Sequence, residues 1–288
     1  MILKEKYTLS NGVAIPKLGL GTWEINDENA AQAVENAVEI GYRHIDTAQG
    51  YQNERGIGEG IKVCGVKRDE MFVTTKLDAQ VKSYKDAVAS IDQSLKTMGL
   101  DYIDLMLIHS PKPWTKFHEN DPYFEGNRET WRAFEEAYTA GKLRAIGISN
   151  FKEADIDNIL QSCTVKPMIN QVLVHISNTP KELIEYTQDK GILVEAYSPI
   201  GHGELLKNKE IAAIAEKYKV SVPQLGIRYC LQLDLLPLPK TANPQHMKAN
   251  ADVDFVISES DLNFLKNMEQ IKDYGEHSKF PVFGGKIV

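Results

Sequence analysis

The chain has 288 residues, 42% of them hydrophobic and 25% charged, with a formal net charge of −7 at pH 7. That length suits one α/β barrel of roughly 250 residues with extensions, and the negative charge disfavours nonspecific binding to nucleic acid or an anionic membrane. No run approaches the roughly 18 apolar residues of a membrane helix, and Met1-Ile2-Leu3-Lys4-Glu5-Lys6 lacks the apolar segment of a secretory signal, so the expectation is a cytoplasmic protein with neither nucleic-acid nor membrane partners.

Tyr7-Thr8-Leu9, Ser10-Asn11-Gly12 and Val13-Ala14-Ile15 read as a hairpin with an Asn-Gly turn, suited to plug the bottom of a barrel. Residues 15–20 read as the first strand, and 28–40 as a helix opened by Asn26-Asp27 and stopped by Gly41. Strand 43–46 precedes helix 53–63, and strand 71–77 precedes helix 84–98, which Gly99 ends. Strand 102–109 is followed by the longest loop, 110–126, and then by helix 128–140. Strand 143–149 leads to helix 153–161, strand 168–174 to helix 180–190, and strand 193–198 to helix 207–218. Residues 222–233 form a surplus amphipathic helix before strand 235–240 and a short helix at 244–251. Eight strand–helix pairs in series imply a parallel sheet, and strands apolar on both faces imply one covered by helices. With no linker or low-complexity tract, the expected fold is α/β: a (β/α)8 TIM barrel with an N-terminal β-hairpin and extra helices, one domain over residues 1–288. An open doubly wound sheet is the alternative.

Barrel enzymes carry their chemistry at the C-terminal ends of the strands. Here those ends bear Asp46 with Tyr51 in the loop beyond it, then Thr74-Thr75-Lys76, His109, Ser149-Asn150, Asn170-Gln171, Tyr197-Ser198 and Lys240-Thr241. Alone, each has a bland reading: a turn-forming Asp, a structural Tyr, a solvated Lys. Together they fall on one rim. Asp46, Lys76 and His109 also end buried strands, where unpaired charges are unfavourable, so mutual pairing is expected.

At these residues the chain resembles the aldo-keto reductase family. The matching stretches are Leu18-Gly19-Leu20-Gly21-Thr22-Trp23, Gly41-Tyr42-Arg43-His44-Ile45-Asp46-Thr47-Ala48, Tyr51-Gln52-Asn53-Glu54 and Thr75-Lys76-Leu77. They continue through Leu105-Met106-Leu107-Ile108-His109, Gly147-Ile148-Ser149-Asn150-Phe151, Ala196-Tyr197-Ser198-Pro199 and Leu238-Pro239-Lys240-Thr241. The resemblance implies a barrel, reduction of aldehydes or ketones, and an extended nicotinamide cofactor held without a Rossmann domain. In agreement, no G-x-G-x-x-G follows a strand; Gly56-Ile57-Gly58-Glu59-Gly60 has the wrong spacing.

The resemblance further implies NADPH as cofactor, with NADH as a second candidate. Ser149, Asn150 and Gln171 then bind the carboxamide, Tyr197 stacks on the nicotinamide, and Ser198, Pro199 and Ile200 cover the pyrophosphate. Lys240, Thr241 and His246 approach the 2′-phosphate and Asn250 the adenine, while Gly21, Thr22, Trp23 and Asp46 also border the cofactor. Trp23, Tyr51, His109 and Trp114 line the pocket of a small carbonyl substrate. The tail Phe280-Pro281-Val282-Phe283 either reaches that pocket or packs on the barrel. Two departures stand out. Ser110 replaces the Trp common after the fourth-strand His, which predicts a wider or wetter pocket there. His246 replaces an Arg, exchanging a permanently charged fork of donors for an imidazole.

Carbonyl reduction needs a hydride at carbon and a proton at oxygen. A tyrosine, with a reference pKa of about 10, is too weak an acid unless a neighbouring ammonium favours the phenolate. Tyr51 is thus the expected acid, Lys76 the cation that lowers its pKa, Asp46 the partner of Lys76, and His109 the donor to the carbonyl, as in the family. The rival reading is a redox-sensing nicotinamide-binding regulatory subunit with little turnover; the complete tetrad argues against it. A metal-dependent barrel enzyme is a third class, but no ligand set is evident. His44 is read as lying across its strand from Asp46, and Cys64, Cys163 and Cys230 are isolated thiols. The family resemblance leans to a monomer.

Overall fold

The computed structural model describes residues 1–286; residues 287–288, the last two of the expected single domain, lie outside the described residues. The N-terminal hairpin pairs β1 (Lys6–Thr8) antiparallel with β2 (Ala14–Pro16), Tyr7 opposite Ile15. The Asn11 side chain accepts from Val13 N–H at 3.1 Å, and Gly12 takes φ 85°, the left-handed turn that an Asn-Gly pair supplies.

Eight parallel strands follow: β3 (Leu20–Gly21), β4 (His44–Asp46), β5 (Phe72–Leu77), β6 (Ile103–Ile108), β7 (Leu143–Ser149), β8 (Ile169–Leu173), β9 (Leu193–Tyr197) and β10 (Leu236–Leu238). They pair in strict chain order. A parallel bridge between Gly21 and Lys240 joins the two ends, with Gly19 N–H donating to Pro237 O at 3.3 Å and Gly21 N–H to Pro239 O at 3.0 Å. The sheet therefore closes into the (β/α)8 barrel, not the doubly wound alternative. Closure depends on small residues. A Cβ on Gly19 would sit 2.6 Å from Leu238 Cδ2 and 2.7 Å from His44 Nδ1.

The α-helices among the described residues are α1 (Asp27–Ile40), α2 (Glu54–Val63), α3 (Tyr84–Met98), α4 (Phe124–Thr139), α5 (Glu153–Leu160), α6 (Lys181–Asp189), α7 (Lys209–Lys217), α8 (Val222–Gln232), α9 (Pro244–Ala251) and α10 (Glu259–Lys266). Every residue of β5 and β6 is buried, as strands between a filled interior and a helical coat must be.

Four sequence expectations need correction. The strand expected at 15–20 divides: its first residues pair in the hairpin, and the barrel strand begins only at Leu20. Pro16, which lacks an N–H, marks the break. Helix α4 starts at Phe124 rather than at 128, so the long loop is shorter and carries its own 3-10 turn, Trp114–Lys116. Helix α10 was not anticipated, although Ser258 caps it by accepting from Asp261 N–H at 3.3 Å, a Ser-x-x-Asp signal visible in the chain. His44 shares the face of Asp46, as a two-residue spacing in a strand demands; it is fully buried, bonded through Nε2 to Thr74 Oγ1 at 2.9 Å.

The glycine run in α2 has a packing role. A Cβ on Gly58 would lie 2.0 Å from Met98 O, and one on Gly56 2.1 Å from Asp27 O. Helix α2 thus presses against the backbone of α1 and of the end of α3. Gly58→Ala should destabilise the fold by about 3 kcal/mol, because the obstacle is backbone that cannot rotate away. Gly50, where an added methyl would have nothing within 4 Å, is the control. Urea denaturation of Gly58→Ala and Gly50→Ala checks this; equal midpoints would show that the helices can separate freely.

Candidate active site

Strand β4 delivers Asp46 and β5 delivers Lys76 to the same end of the barrel. Lys76 Nζ donates to Asp46 Oδ1 at 2.6 Å, to the Thr47 carbonyl at 2.8 Å and to Tyr51 Oη at 3.3 Å. All three ammonium hydrogens are thereby directed, and the Tyr51 oxygen is an acceptor whose own proton stays free. Lys76 is fully buried and Asp46 nearly so.

Tyr51 sits on the 3-10 turn Gln49–Tyr51. The Gln49 side chain anchors that turn, donating to Ser90 O at 2.9 Å and Ser94 Oγ at 2.8 Å and accepting from Asp78 N–H at 2.8 Å. Asn53 ties it to the loop after β3: its amide donates to Thr22 O at 3.0 Å and Ile25 O at 2.9 Å, holding the chain on both sides of Trp23. Neither Gln49 nor Asn53 was given a role from sequence, since a fixing role depends on partners far along the chain.

His109, at the end of β6, stands edge-on to Tyr51, with ring centroids 5.8 Å apart, and to Trp114 at 5.3 Å. Across the rim, Gln171 Nε2 donates to Asp46 Oδ2 at 2.9 Å and to Glu195 Oε2 at 2.8 Å. Its Oε1 is left as the polar atom that Gln171 brings to the cavity wall. Ser149 Oγ donates to Gln171 O at 2.9 Å, and Asn150 Nδ2 to His109 O at 3.0 Å. Tyr197 Oη donates to Asn150 Oδ1 at 2.8 Å, which fixes the Tyr197 ring.

These residues border a cavity of about 570 Å³. Its wall includes Gly21, Thr22, Trp23, Asp46, Tyr51, His109, Trp114, Ser149, Asn150, Gln171, Tyr197, Ser198, Pro199, Ile200 and Lys240. Lys76 lies behind the wall, bonded to two residues that line it, Asp46 and Tyr51. Thr241, His246 and Asn250 are not on the wall; His246 is exposed and Asn250 buried, both on α9. Ser110 is buried and absent from the wall, and Trp114 stands beside His109 there. The tail reaches the site: Phe280, Pro281, Val282 and Phe283 line it, and Trp23 stacks on Phe283 at 6.4 Å. His202 and His277, stacked at 4.1 Å, were missed; no local motif flags two histidines 75 positions apart that meet only in the folded chain.

The electrostatics follow from burial and pairing. Burial lowers the Lys76 ammonium, but Asp46 and Tyr51 outweigh it, so its pKa is raised and it stays charged. Burial raises the Tyr51 phenol, and Lys76 pulls it back only in part. The net lowering expected from sequence is therefore not met: the phenol is protonated at neutral pH. Burial, then Lys76 and Lys82, hold His109 well below the usual imidazole range. A neutral His109 carries one ring N–H; its Nδ1 is buried without a partner among the described residues, so a lone pair there and a proton on Nε2 is the arrangement that suits the site.

Lys76→Met would leave the Asp46 carboxylate buried with no cation. We expect destabilisation of about 3–5 kcal/mol, largely recovered in the double variant with Asp46→Asn. Chemical denaturation of the three variants is the check. A double variant no more stable than Lys76→Met would mean that the pair is not held together by charge.

The sequence matches the Aldo/keto reductase family over residues 17–270. Glyoxal reductase of Bacillus subtilis is 41% identical over 275 residues, covering 95% of this chain and 96% of its own. Among solved structures, an aldo/keto reductase from Brucella melitensis superposes with a TM-score of 0.85 at 36% identity, covering 92% of this chain and 98% of the other. The Bombyx mori aldo-keto reductase in complex with NADP gives 0.83 at 33% identity, covering 96% of each chain. The rim constellation, the closed barrel and these likenesses agree: the chain belongs to the aldo/keto reductase family and is an oxidoreductase.

Proposed function

We propose that the protein reduces small aldehydes and ketones to alcohols, using NADPH, with Tyr51 as the general acid. The observation that carries this reading is the Lys76 ammonium bridging Asp46 and the Tyr51 hydroxyl, with that hydroxyl on the cavity wall beside a neutral His109. A bound reduced nicotinamide supplies the hydride. The Tyr51 hydroxyl supplies the proton to the carbonyl oxygen, and Lys76 stabilises the phenolate left behind. Asp46 keeps Lys76 charged and in place. His109 donates from Nε2 to the same oxygen and orients it. An intact tetrad supports turnover over the redox-sensing alternative.

The residues present fit the cofactor. Gln171 offers an uncommitted Oε1 to a carboxamide, and the Tyr197 ring on the cavity wall is pinned as a stacking surface. Ser198, Gly201, His202 and Gly203 all take positive φ, bending the loop after β9 at the cavity edge, where it would hold a pyrophosphate. Lys240, Thr241 and His246 would face the 2′-phosphate and Asn250 the adenine; NADH is the weaker alternative. The relative named glyoxal reductase and the aromatic wall of Trp23, Trp114, Phe280 and Phe283 support small uncharged carbonyl compounds, glyoxal first, as substrates. We further place the enzyme as a cytoplasmic monomer built as one domain. Among the described residues no helix is long and apolar enough to cross a membrane.

Tyr51→Phe should lower kcat by about 10² to 10⁴ while leaving the NADPH dissociation constant nearly unchanged, because the lost hydroxyl moves a proton and holds no phosphate. Steady-state rates with glyoxal and fluorescence titration with NADPH test this, and near-wild-type turnover would refute the assignment.

His246→Arg should tighten NADPH binding about tenfold and leave NADH binding unchanged, since a guanidinium adds a charge-assisted bond only where a 2′-phosphate exists. Titration of both proteins with both cofactors decides it. Equal gains for NADH and NADPH would remove His246 from the phosphate site.

A further inference from the structure

Glu195 lies on β9, two residues before Tyr197 and therefore on the same, inward face. It is fully buried. Its Oε2 accepts from Gln171 Nε2 at 2.8 Å, and its Oε1 has no partner among the described residues. The same Gln171 amide donates to Asp46 Oδ2 at 2.9 Å. One NH2 group thus bridges two carboxyl groups, and both of its hydrogens are committed. A Gln171 turned over about its amide would aim Oε1 at the Asp46 carboxylate and withdraw the hydrogen that Glu195 Oε2 accepts, so the bridge holds that oxygen toward the cavity.

A buried acid with an orphaned oxygen is a poor choice for packing alone, because burying an unpaired polar oxygen is unfavourable. The surroundings identify its state. From β4 it faces Asp46; from β5 it faces Lys76, which is already bonded to Asp46; from β8 comes the uncharged Gln171; and β10 presents Leu236 opposite it. Asp46 has the cation; Glu195 has none of its own. Burial, and then the Asp46 charge, push the Glu195 carboxyl up to about 8, against smaller opposing effects of Gln171 and Lys76.

We propose that Glu195 is a positioning residue for the reduction: through Gln171 it fixes the amide oxygen that faces the cofactor, and its proton keeps the Asp46–Lys76–Tyr51 set at a single carboxylate charge. The inference rests on the reductase reading given above. When Glu195 loses its proton, a second negative charge competes for the field of Lys76. The phenolate left on Tyr51 is then less stabilised and proton delivery slows.

The test compares wild type with Glu195→Gln, which holds the uncharged form at every pH. The first readout is the ratio of kcat at pH 7 to kcat at pH 9, for NADPH-dependent reduction of glyoxal. We expect that ratio to be at least about fivefold in wild type and to shrink to about twofold or less in Glu195→Gln. A fall of the same size and midpoint in both proteins overturns the proposal. The second readout needs no activity. The folded protein keeps a proton on Glu195 that the unfolded chain has released, so wild-type stability declines as pH rises from the ordinary carboxyl range to about 8. The melting temperature of Glu195→Gln relative to wild type should therefore be higher at pH 9 than at pH 5, and an equal difference at both overturns the protonation claim. The amide lock is tested by Glu195→Leu, expected to bind NADPH about tenfold more weakly than Glu195→Gln; equal affinities overturn that part. An inactive Tyr51→Phe together with an unchanged Glu195→Gln profile would sink only this inference, whereas an active Tyr51→Phe would sink the reductase mechanism itself.

Discussion

The buried contact between Lys76 and Asp46 is the constraint around which the rest of the site is arranged. A charged pair inside a barrel is tolerated only when its hydrogen-bonding capacity is filled, since isolated charges in a low-dielectric interior are strongly unfavourable. Here the third hydrogen of the ammonium has nowhere to go but the Tyr51 hydroxyl. The same demand on Asp46 brings in Gln171, and Gln171 brings in Glu195. A line of polar groups from four different strands or strand ends therefore runs across the barrel mouth, each member needed to satisfy the one before it.

The chemistry proposed for this line depends on balanced opposing effects. Burial alone would neutralise the lysine and leave the tyrosine an ineffective acid. Pairing with Asp46 restores the ammonium, and the ammonium partly offsets the burial of Tyr51. His109, pressed by two lysines and by burial, stays neutral and so can donate a hydrogen bond without adding charge. In that proposal the proton to be delivered sits on Tyr51, next to a fixed cation.

The scaffold holds these groups through contacts that lie outside the site. Gly19 and Gly21 let the first and last barrel strands meet, and without that closure Lys240 would not stand beside Gly21. Gln49 and Asn53 fasten the loops bearing Tyr51 and Trp23. The C-terminal tail then returns across the mouth, where Phe280 and Phe283 pack on Trp23 and complete an aromatic wall.

By itself the sequence determined the eight-fold alternation of strand and helix, because apolar periodicity and glycine stops are local signals. It also determined that Asp46, Tyr51, Lys76 and His109 meet, because in a barrel every strand end faces the same rim. What it left open depended on distances between segments remote in the chain. The division of residues 14–21 between hairpin and barrel was settled by which partners their N–H groups found. The net rise of the Tyr51 phenol was settled by how deeply the ring is buried, not by which cation stands beside it. No local motif marks Glu195, His202 or His277. Only the closed barrel, by sharing one amide between two carboxyl groups and folding the tail over the mouth, puts them beside the chemistry.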